Sequence, residues 1–403
     1  MKAFAMKRMS RRSSRCYTWE VLLGASVLAL LLFAAVGRAE TAAQHFQLAT
    51  RLAQQGKFQE AEQEYQRGLT LDPNSADAYN NLGVLYFEQQ LFNRAAGTFR
   101  KAYHLRPGDP EFGFNLGLAL FKAGSPQEAI GPLRAALHSP QHAAEAQFLL
   151  GTCYFELKRW PQSILHLEAV QKKRPDDEKI FFLLYNDYRN MGEKDKALQA
   201  ATQLLEIHPD SPFVYEMLGE ARDAANQPQR AEADFKKAIA AAPHTPELHF
   251  LLGYLYWRWK KYQEAIAPLN SETQISPNFA PPYYYLGDIA IRQGKPEEAL
   301  KYFEKALQLD PSYAEASLGM GQAYAKMGQF KKAAPLLQQA VMRMPRNAEA
   351  HYWLGQTLIR LGHSGEGKKE LEEVNRINNA RITNALKRER SGGISTSQAA
   401  PPR

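Results

Sequence analysis

Few residues of this chain have the types and spacing that catalysis or metal binding needs. His138 and His142 lie four residues apart, as two metal ligands on one helical turn would, but Pro140 separates them. Because proline interrupts a helix, the two imidazoles are not expected to share a face. Residues 362–368 (GHSGEGK) match most of a phosphate-binding loop, yet Lys369 stands where a Ser or Thr should bind magnesium. We therefore predict no metal site, no cofactor and no catalytic residue, and we expect that the chain is not an enzyme.

The two cysteines give no disulfide that would point to an oxidising compartment. Cys16 lies in the basic N-terminal segment, and Cys153 stands between small and aromatic residues in the middle of the chain. A lone cysteine in such surroundings is expected to be a buried small apolar residue.

A period of 34 residues organises the chain, in ten consecutive copies without insertion or deletion. Repeat 1 begins at Ala42 and repeat 10 at Ala348, and "place" denotes a position within a repeat. Proline closes most repeats, where it would end a helix. Place 8 is occupied by Ala49, Gly83, Gly117, Gly151, Tyr185, Gly219, Gly253, Gly287, Gly321 and Gly355. Place 20 is almost as regular, with Ala61, Ala95, Ala129, Ser163, Ala197, Ala231, Ala265, Ala299, Ala333 and Gly367. Small residues at both places would let two antiparallel helices approach closely.

This pattern resembles the tetratricopeptide repeat family over residues 42–381. The resemblance implies an all-α fold, a right-handed superhelical solenoid of antiparallel helix pairs. A single pair cannot bury its apolar face, so neighbouring pairs must stack. Glycines expected at the turn inside a pair, where positive φ is tolerated, are Gly56, Gly124, Gly192, Gly294, Gly328 and Gly362.

Two repeats depart from the pattern at places where packing is expected. In repeat 5, Tyr185 replaces a small residue and Ala201 replaces a large one. Since these changes exchange volume in opposite senses, we expect altered packing there and no break in the array. In repeat 7, Glu272 is a further exception, for which the sequence offers no reason.

The resemblance also implies that the first helix of each pair lines a concave groove that binds a protein or peptide segment. Aromatic side chains recur at the groove places, and exposed aromatic patches mark interaction surfaces. The alternative is that neighbouring helices partly cover these rings. Residues predicted to contact a partner are Phe114, Phe148, Phe182, Glu216, Glu220, Asp223, Phe250, Tyr254, Trp257, Arg258, Tyr284, Arg292 and Tyr352.

Repeat 6 differs from the others because its groove places are acidic. Glu216, Glu220 and Asp223 would lie on one face of one helix. They either pair with Arg189 and Arg258 of the adjacent repeats or receive a basic residue of the partner. Both interpretations remain open at the level of sequence.

The net charge of +8 does not indicate nucleic-acid binding, because it lies outside the repeats. Residues 1–39 carry a net charge of +6 and residues 382–403 carry +3, which leaves −1 for residues 40–381. An almost neutral array offers no basic face, so we predict no nucleic-acid partner.

Residues 1–39 resemble an export signal. A basic segment precedes the apolar run 21–36, and small residues on either side of Arg38 follow it. Sixteen apolar residues are few for a membrane span, but an uncleaved anchor through this run is the alternative. The array is therefore expected in the periplasm or outside the cell, or anchored at the inner membrane with the repeats outside the cytoplasm.

The sequence therefore predicts three segments of the chain and two alternative functions. We divide the chain into residues 1–39 (signal peptide or anchor), 42–381 (ten-repeat solenoid) and 382–403 (a short charged helical stretch and a disordered tail). The first predicted function is a non-catalytic protein-interaction scaffold of a bacterial-type cell envelope. The second is an accessory subunit of a polysaccharide or protein secretion machine, with glycan contact in the groove.

Overall fold

A computed structural model describes residues 41–391, and within that range the protein has twenty α-helices and no strand. The predicted signal or anchor lies outside the described residues, as does the end of the tail. No helix between residues 41 and 391 is long and apolar enough to cross a membrane.

The first helices of the ten pairs are α1 Ala42–Gln54, α3 Ala76–Glu88, α5 Pro110–Lys122, α7 Ala143–Glu156, α9 Glu178–Met191, α11 Pro212–Ala224, α13 Leu248–Arg258, α15 Ala280–Arg292, α17 Ala314–Lys326 and α19 Ala348–Arg360. The second helices are α2 Phe58–Leu71, α4 Phe92–Leu105, α6 Pro126–Ala136, α8 Trp160–Gln171, α10 Lys194–Ile207, α12 Pro228–Ala241, α14 Tyr262–Ile275, α16 Pro296–Leu309, α18 Phe330–Arg343 and α20 Ser364–Ser391.

The helices pack as a tetratricopeptide solenoid, which confirms the predicted fold class. Contacts divide the chain into two compact units that meet in sequence at Leu183 and Leu184. Within each unit, a second helix packs on the first helix of its own pair and on the first helix of the next pair. Successive first helices such as α13, α15 and α17 also touch one another, more extensively than successive second helices do. First helices therefore lie on the more crowded side of each unit, as expected for the inner side of a superhelix.

A close contact between the two helices explains the glycine at place 8 in eight of the ten pairs. A methyl group at Gly83 would come within 2.5 Å of the ring of Phe99, which lies at place 24 on the facing helix. The same holds at Gly287, where a methyl group would lie 2.7 Å from Phe303. In these pairs the glycine lets the large side chain lie against the backbone of the first helix, whereas repeat 1 has Ala49 at place 8 and a buried Tyr65 at place 24.

Repeat 5 reverses this contact and keeps the array intact, as predicted. Tyr185 stands at place 8 and is only 1% exposed, while Ala201 stands at place 24 and is fully buried. The large side chain has moved from the second helix to the first. Both α9 and α10 remain continuous, so the exchange of volume changes the packing without breaking it.

The turn inside each pair uses a left-handed residue in all ten repeats. The six predicted glycines have φ between 73° and 91°. The other four repeats place Gln90, Lys158, Asn226 and Lys260 in the same conformation, with φ between 56° and 63°.

Glu272 has a structural role that the sequence did not reveal. Several first helices begin at a side-chain cap, for example Ser75 or Asp109, which accepts from a backbone N–H of the first turn. Helix α13 lacks such a cap, since Glu247 before it has φ of 72° and no capping bond. Instead, the carboxylate of fully buried Glu272 on α14 accepts from the Glu247 N–H at 2.9 Å and the Phe250 N–H at 3.2 Å. Glu272 therefore caps α13 from the second helix of the pair.

We expect Gly124→Ala to lower the free energy of unfolding by about 1 kcal/mol, because an alanine resists positive φ. A methyl group there meets nothing within 4 Å, so the cost lies in the backbone alone. The matched control is Gly97→Ala inside α4, where a methyl group is equally unhindered. That substitution should raise the stability by about 0.5–1 kcal/mol. Urea denaturation measures both, and effects of the same sign would contradict the assignment.

Glu272→Ala should destabilise the chain by about 1–3 kcal/mol, because two partly buried backbone donors lose their acceptor. Amide hydrogen exchange at Glu247 and Phe250 should accelerate most. The control is Glu264→Ala on the exposed side of the same helix, which should leave both amides protected. Unchanged exchange in Glu272→Ala would show that the carboxylate is no cap.

Candidate partner-binding surface and cavity

A cavity of about 250 Å³, which we call the central cavity, is lined by residues of the five consecutive helices α9 to α13 and by Gly192. Its inner wall is apolar and includes Ala197, Ala221, Phe235 and Leu251. All of its lining residues belong to the second unit.

Two ion pairs stand at the edge of the central cavity. Arg189 donates to Glu220 at 2.9 Å, and the buried Tyr185 hydroxyl donates to the same carboxylate at 3.0 Å. Burial raises the pKa of Tyr185 above its ordinary value, and Glu220 raises it further. Tyr185 therefore remains a neutral donor that holds Glu220 in place.

The second ion pair joins α11 to α13. Arg258 donates to Asp223, and the indole N–H of Trp259 donates to the same carboxylate at 3.1 Å. Two of the three groove carboxylates of repeat 6 thus pair with the arginines of repeats 5 and 7. This outcome confirms the first of the two interpretations for Glu220 and Asp223.

Glu216 is the carboxylate of repeat 6 that no cation bonds among the described residues. Burial raises its pKa above the ordinary value, and the nearby charges of Glu220 and Glu247 raise it further. Arg189 acts in the opposite direction, with a smaller effect. Glu216 is therefore a half-buried acid whose ionisation the surroundings disfavour.

Next to the central cavity, five aromatic rings of two neighbouring first helices contact one another, and we call them the aromatic cluster. It comprises Phe250, Tyr254 and Trp257 on α13 with Tyr284 and Tyr285 on α15. The ring centroids of Tyr254 and Tyr285 are 5.3 Å apart, and those of Trp257 and Tyr285 are 4.8 Å apart. All five rings are partly buried. The structure thus brings together four of the predicted residues around Tyr285, which stands at place 6, outside the groove places.

The other predicted residues are spread over both units. In the first unit, Phe114 stacks on His142 with 4.4 Å between ring centroids, Phe148 is half-buried, and Phe182 is 38% exposed. In the second unit, Arg292 donates to Asp288 at 2.6 Å, and Tyr352 is 45% exposed. These residues do not join the aromatic cluster.

The structure also bears on possible metal ligands and on the thiol of Cys153. Between residues 41 and 391 no three His, Cys, Asp or Glu side chains are grouped as metal ligands. Cys153 is buried, and its burial raises the thiol pKa to about 12. The predicted role of Cys153 as a small core residue is confirmed.

We expect Glu216→Gln to raise the urea midpoint at pH 7. A carboxyl whose pKa is raised by folding stabilises the folded chain only while it is protonated, so ionisation lowers the stability as pH rises. The difference from the unmodified chain should vanish below the ordinary glutamate pKa of 4.5. Glu232→Gln is the control of opposite sign, because a hydrogen bond from Lys236 lowers the pKa of Glu232. A lower midpoint for Glu216→Gln at pH 7 would contradict this interpretation.

Solved structures similar in fold include a tetratricopeptide repeat protein, PilF and YrrB. The tetratricopeptide repeat protein, from Parabacteroides merdae, has 17% identity and a TM-score of 0.50, and the match covers 62% of this chain and 98% of that one. PilF of Pseudomonas aeruginosa has 20% identity and a TM-score of 0.46, with coverage of 50% and 91%. YrrB, described as having an unusual peptide-binding site, has 21% identity and a TM-score of 0.39, with coverage of 47% and 100%. At these identities the likeness concerns the fold alone. No curated protein matches the chain.

Family models extend over most of the chain, and all of them carry the description "Tetratricopeptide repeat". They match residues 46–110, 114–178, 187–211, 216–278, 290–335 and 325–387. All of the matched segments lie within the ten helix pairs described above. This chain therefore belongs to the tetratricopeptide repeat family, whose members are protein-interaction scaffolds.

Proposed function

We propose that this chain is an envelope scaffold that binds a segment of a partner protein on the first helices of its second unit. The observation that carries the proposal is the aromatic cluster beside the central cavity. A partly buried ring offers a large apolar contact at low entropic cost, because its own packing already fixes it. Such a preordered surface would bind a segment of a polypeptide in one orientation.

The ion pairs around the cavity support a preformed site. Arg189 and Arg258 are each held by a carboxylate of α11, so their guanidinium groups need little reordering when a partner arrives. The same contacts argue against capture of a basic side chain by Glu220 and Asp223, because each would first have to release an arginine.

The envelope location is proposed from residues 1–39 alone. A basic segment followed by a short apolar run is typical of export signals, and an uncleaved run 21–36 would attach the array to the membrane. The repeats would then meet their partner outside the cytoplasm.

The test places a photo-crosslinking amino acid at Tyr254, on the aromatic cluster, and in a second variant at Met342, which is 75% exposed on α18. We expect irradiation of the protein's own cells to give a defined polypeptide adduct in the envelope fraction from position 254 only. Equal adducts from both positions would contradict groove binding, and adducts confined to the cytoplasm would contradict the location. An adduct that survives protease digestion would favour the glycan-contacting alternative.

A further inference from the structure

An aromatic pair closes the end of the helix hairpin in repeats 2 and 4. The pair joins place 12 on the first helix to place 17 on the second. Phe87 and Phe92 have ring centroids 5.2 Å apart, and Phe155 and Trp160 have centroids 5.6 Å apart. Both contacts are edge-to-face, with interplanar angles of 64° and 65°. These rings fill the space beside the turn.

Repeats 5 and 6 have neither an aromatic residue nor isoleucine at these two places, whereas every other repeat keeps at least one, such as Phe121 in repeat 3 or Ile291 in repeat 8. Repeat 5 has Arg189 and Lys194 at the two places, and repeat 6 has Asp223 and Pro228. Place 13 of repeat 6 is also small, since Ala224 stands where every other repeat has a longer polar or charged residue. Arg189, Lys194, Asp223 and Ala224 all line the central cavity. The cavity thus lies beside the two repeats that have neither an aromatic residue nor isoleucine at these places.

We propose that the central cavity takes one aromatic side chain of the partner, which fills the place of the missing ring, and that an acidic residue of the partner lies next to it. This inference rests on the proposed function and names the chemistry that its site would recognise. A cavity of roughly 150 Å³ already holds a benzene ring, so a cavity of about 250 Å³ has room for Phe, Tyr or Trp.

The walls of the cavity favour a ring over a sugar. Ala197, Ala221 and Leu251 present carbon atoms, against which the hydroxyl groups of a sugar would lose their hydrogen bonds to water. The guanidinium groups of Arg189 and Arg258 stand at the edge, where they can stack on an aromatic face.

The charge at the edge favours an acidic neighbour for that ring. Glu220 and Asp223 neutralise the two arginines. Lys194 also lines the cavity, and within residues 41–391 it forms no ion pair. Among the residues that line the cavity, Lys194 is therefore the cation that no carboxylate bonds, and a partner Asp or Glu would complement it.

The experiment selects a displayed library of random 12-residue peptides on the purified full-length chain. Enriched peptides are synthesised with a fluorescent label, and their affinities are measured by fluorescence anisotropy. We expect the enriched peptides to share an aromatic residue with Asp or Glu within two positions. Replacing that aromatic residue by alanine should weaken binding at least about tenfold.

Variants of the chain locate the bound peptide. Ala224→Trp fills the cavity from within and should also weaken binding at least about tenfold. Lys326→Trp, which introduces a tryptophan at the same place of repeat 9, should have no effect. Lys194→Glu should weaken binding of acidic peptides by about two- to fivefold. Lys331→Glu is the control with the same change of charge at an exposed site of α18.

The outcomes separate this inference from the proposed function. Enriched peptides without an aromatic residue, or peptides that bind Ala224→Trp with unchanged affinity, would overturn the aromatic site and leave a peptide-binding scaffold. A library that yields no binding peptide would count against both. Circular dichroism confirms that each variant is folded, and Ala224→Leu replaces Ala224→Trp if the tryptophan variant loses helicity.

Discussion

The contact between place 8 of a first helix and place 24 of its second helix is the constraint on which the array depends. A glycine lets the facing side chain, such as Phe99 or Leu133, lie directly on the backbone of the partner helix. This contact sets the distance between the two helices of a pair. The same distance determines the surface on which the next pair packs. Repeat 5 reverses the sizes at the two places, with Tyr185 at place 8 and Ala201 at place 24, and both residues are buried.

Much of the fold could be predicted from the sequence because this constraint leaves a periodic mark. The small residues at places 8 and 20, the closing prolines and the turn glycines gave the family and the helix pairing. The left-handed turns at Gln90 and Lys158 could not be recognised in the same way, since those residues do not favour that conformation. There the register of the neighbouring repeats, and not the residue, decides the backbone.

The candidate site was harder to predict because its properties arise between repeats. The spacing in the sequence placed Glu220 and Asp223 on one face of a helix. Whether their carboxylates pair with an arginine depends on how close Arg189 on α9 and Arg258 on α13 lie, which one sequence does not show. The central cavity was missed for a similar reason, because a missing side chain leaves no motif. Its signal in the sequence was the combined change at places 12, 13 and 17 in adjacent repeats. Tyr285 was missed because it lies at place 6, outside the groove places that the family pattern supplies.

The cap that Glu272 provides has a consequence for the order in which repeat 7 can form during synthesis. Helix α13 leaves the ribosome before α14, yet the acceptor for two N–H groups at its start is carried by α14. The beginning of α13 therefore cannot be completed until the chain has been extended by about one more helix and has folded back. Repeats that begin with their own Ser, Asp or Asn cap have no such delay. Repeat 7, which also carries three of the five rings of the aromatic cluster, should be a late step in the assembly of the second unit.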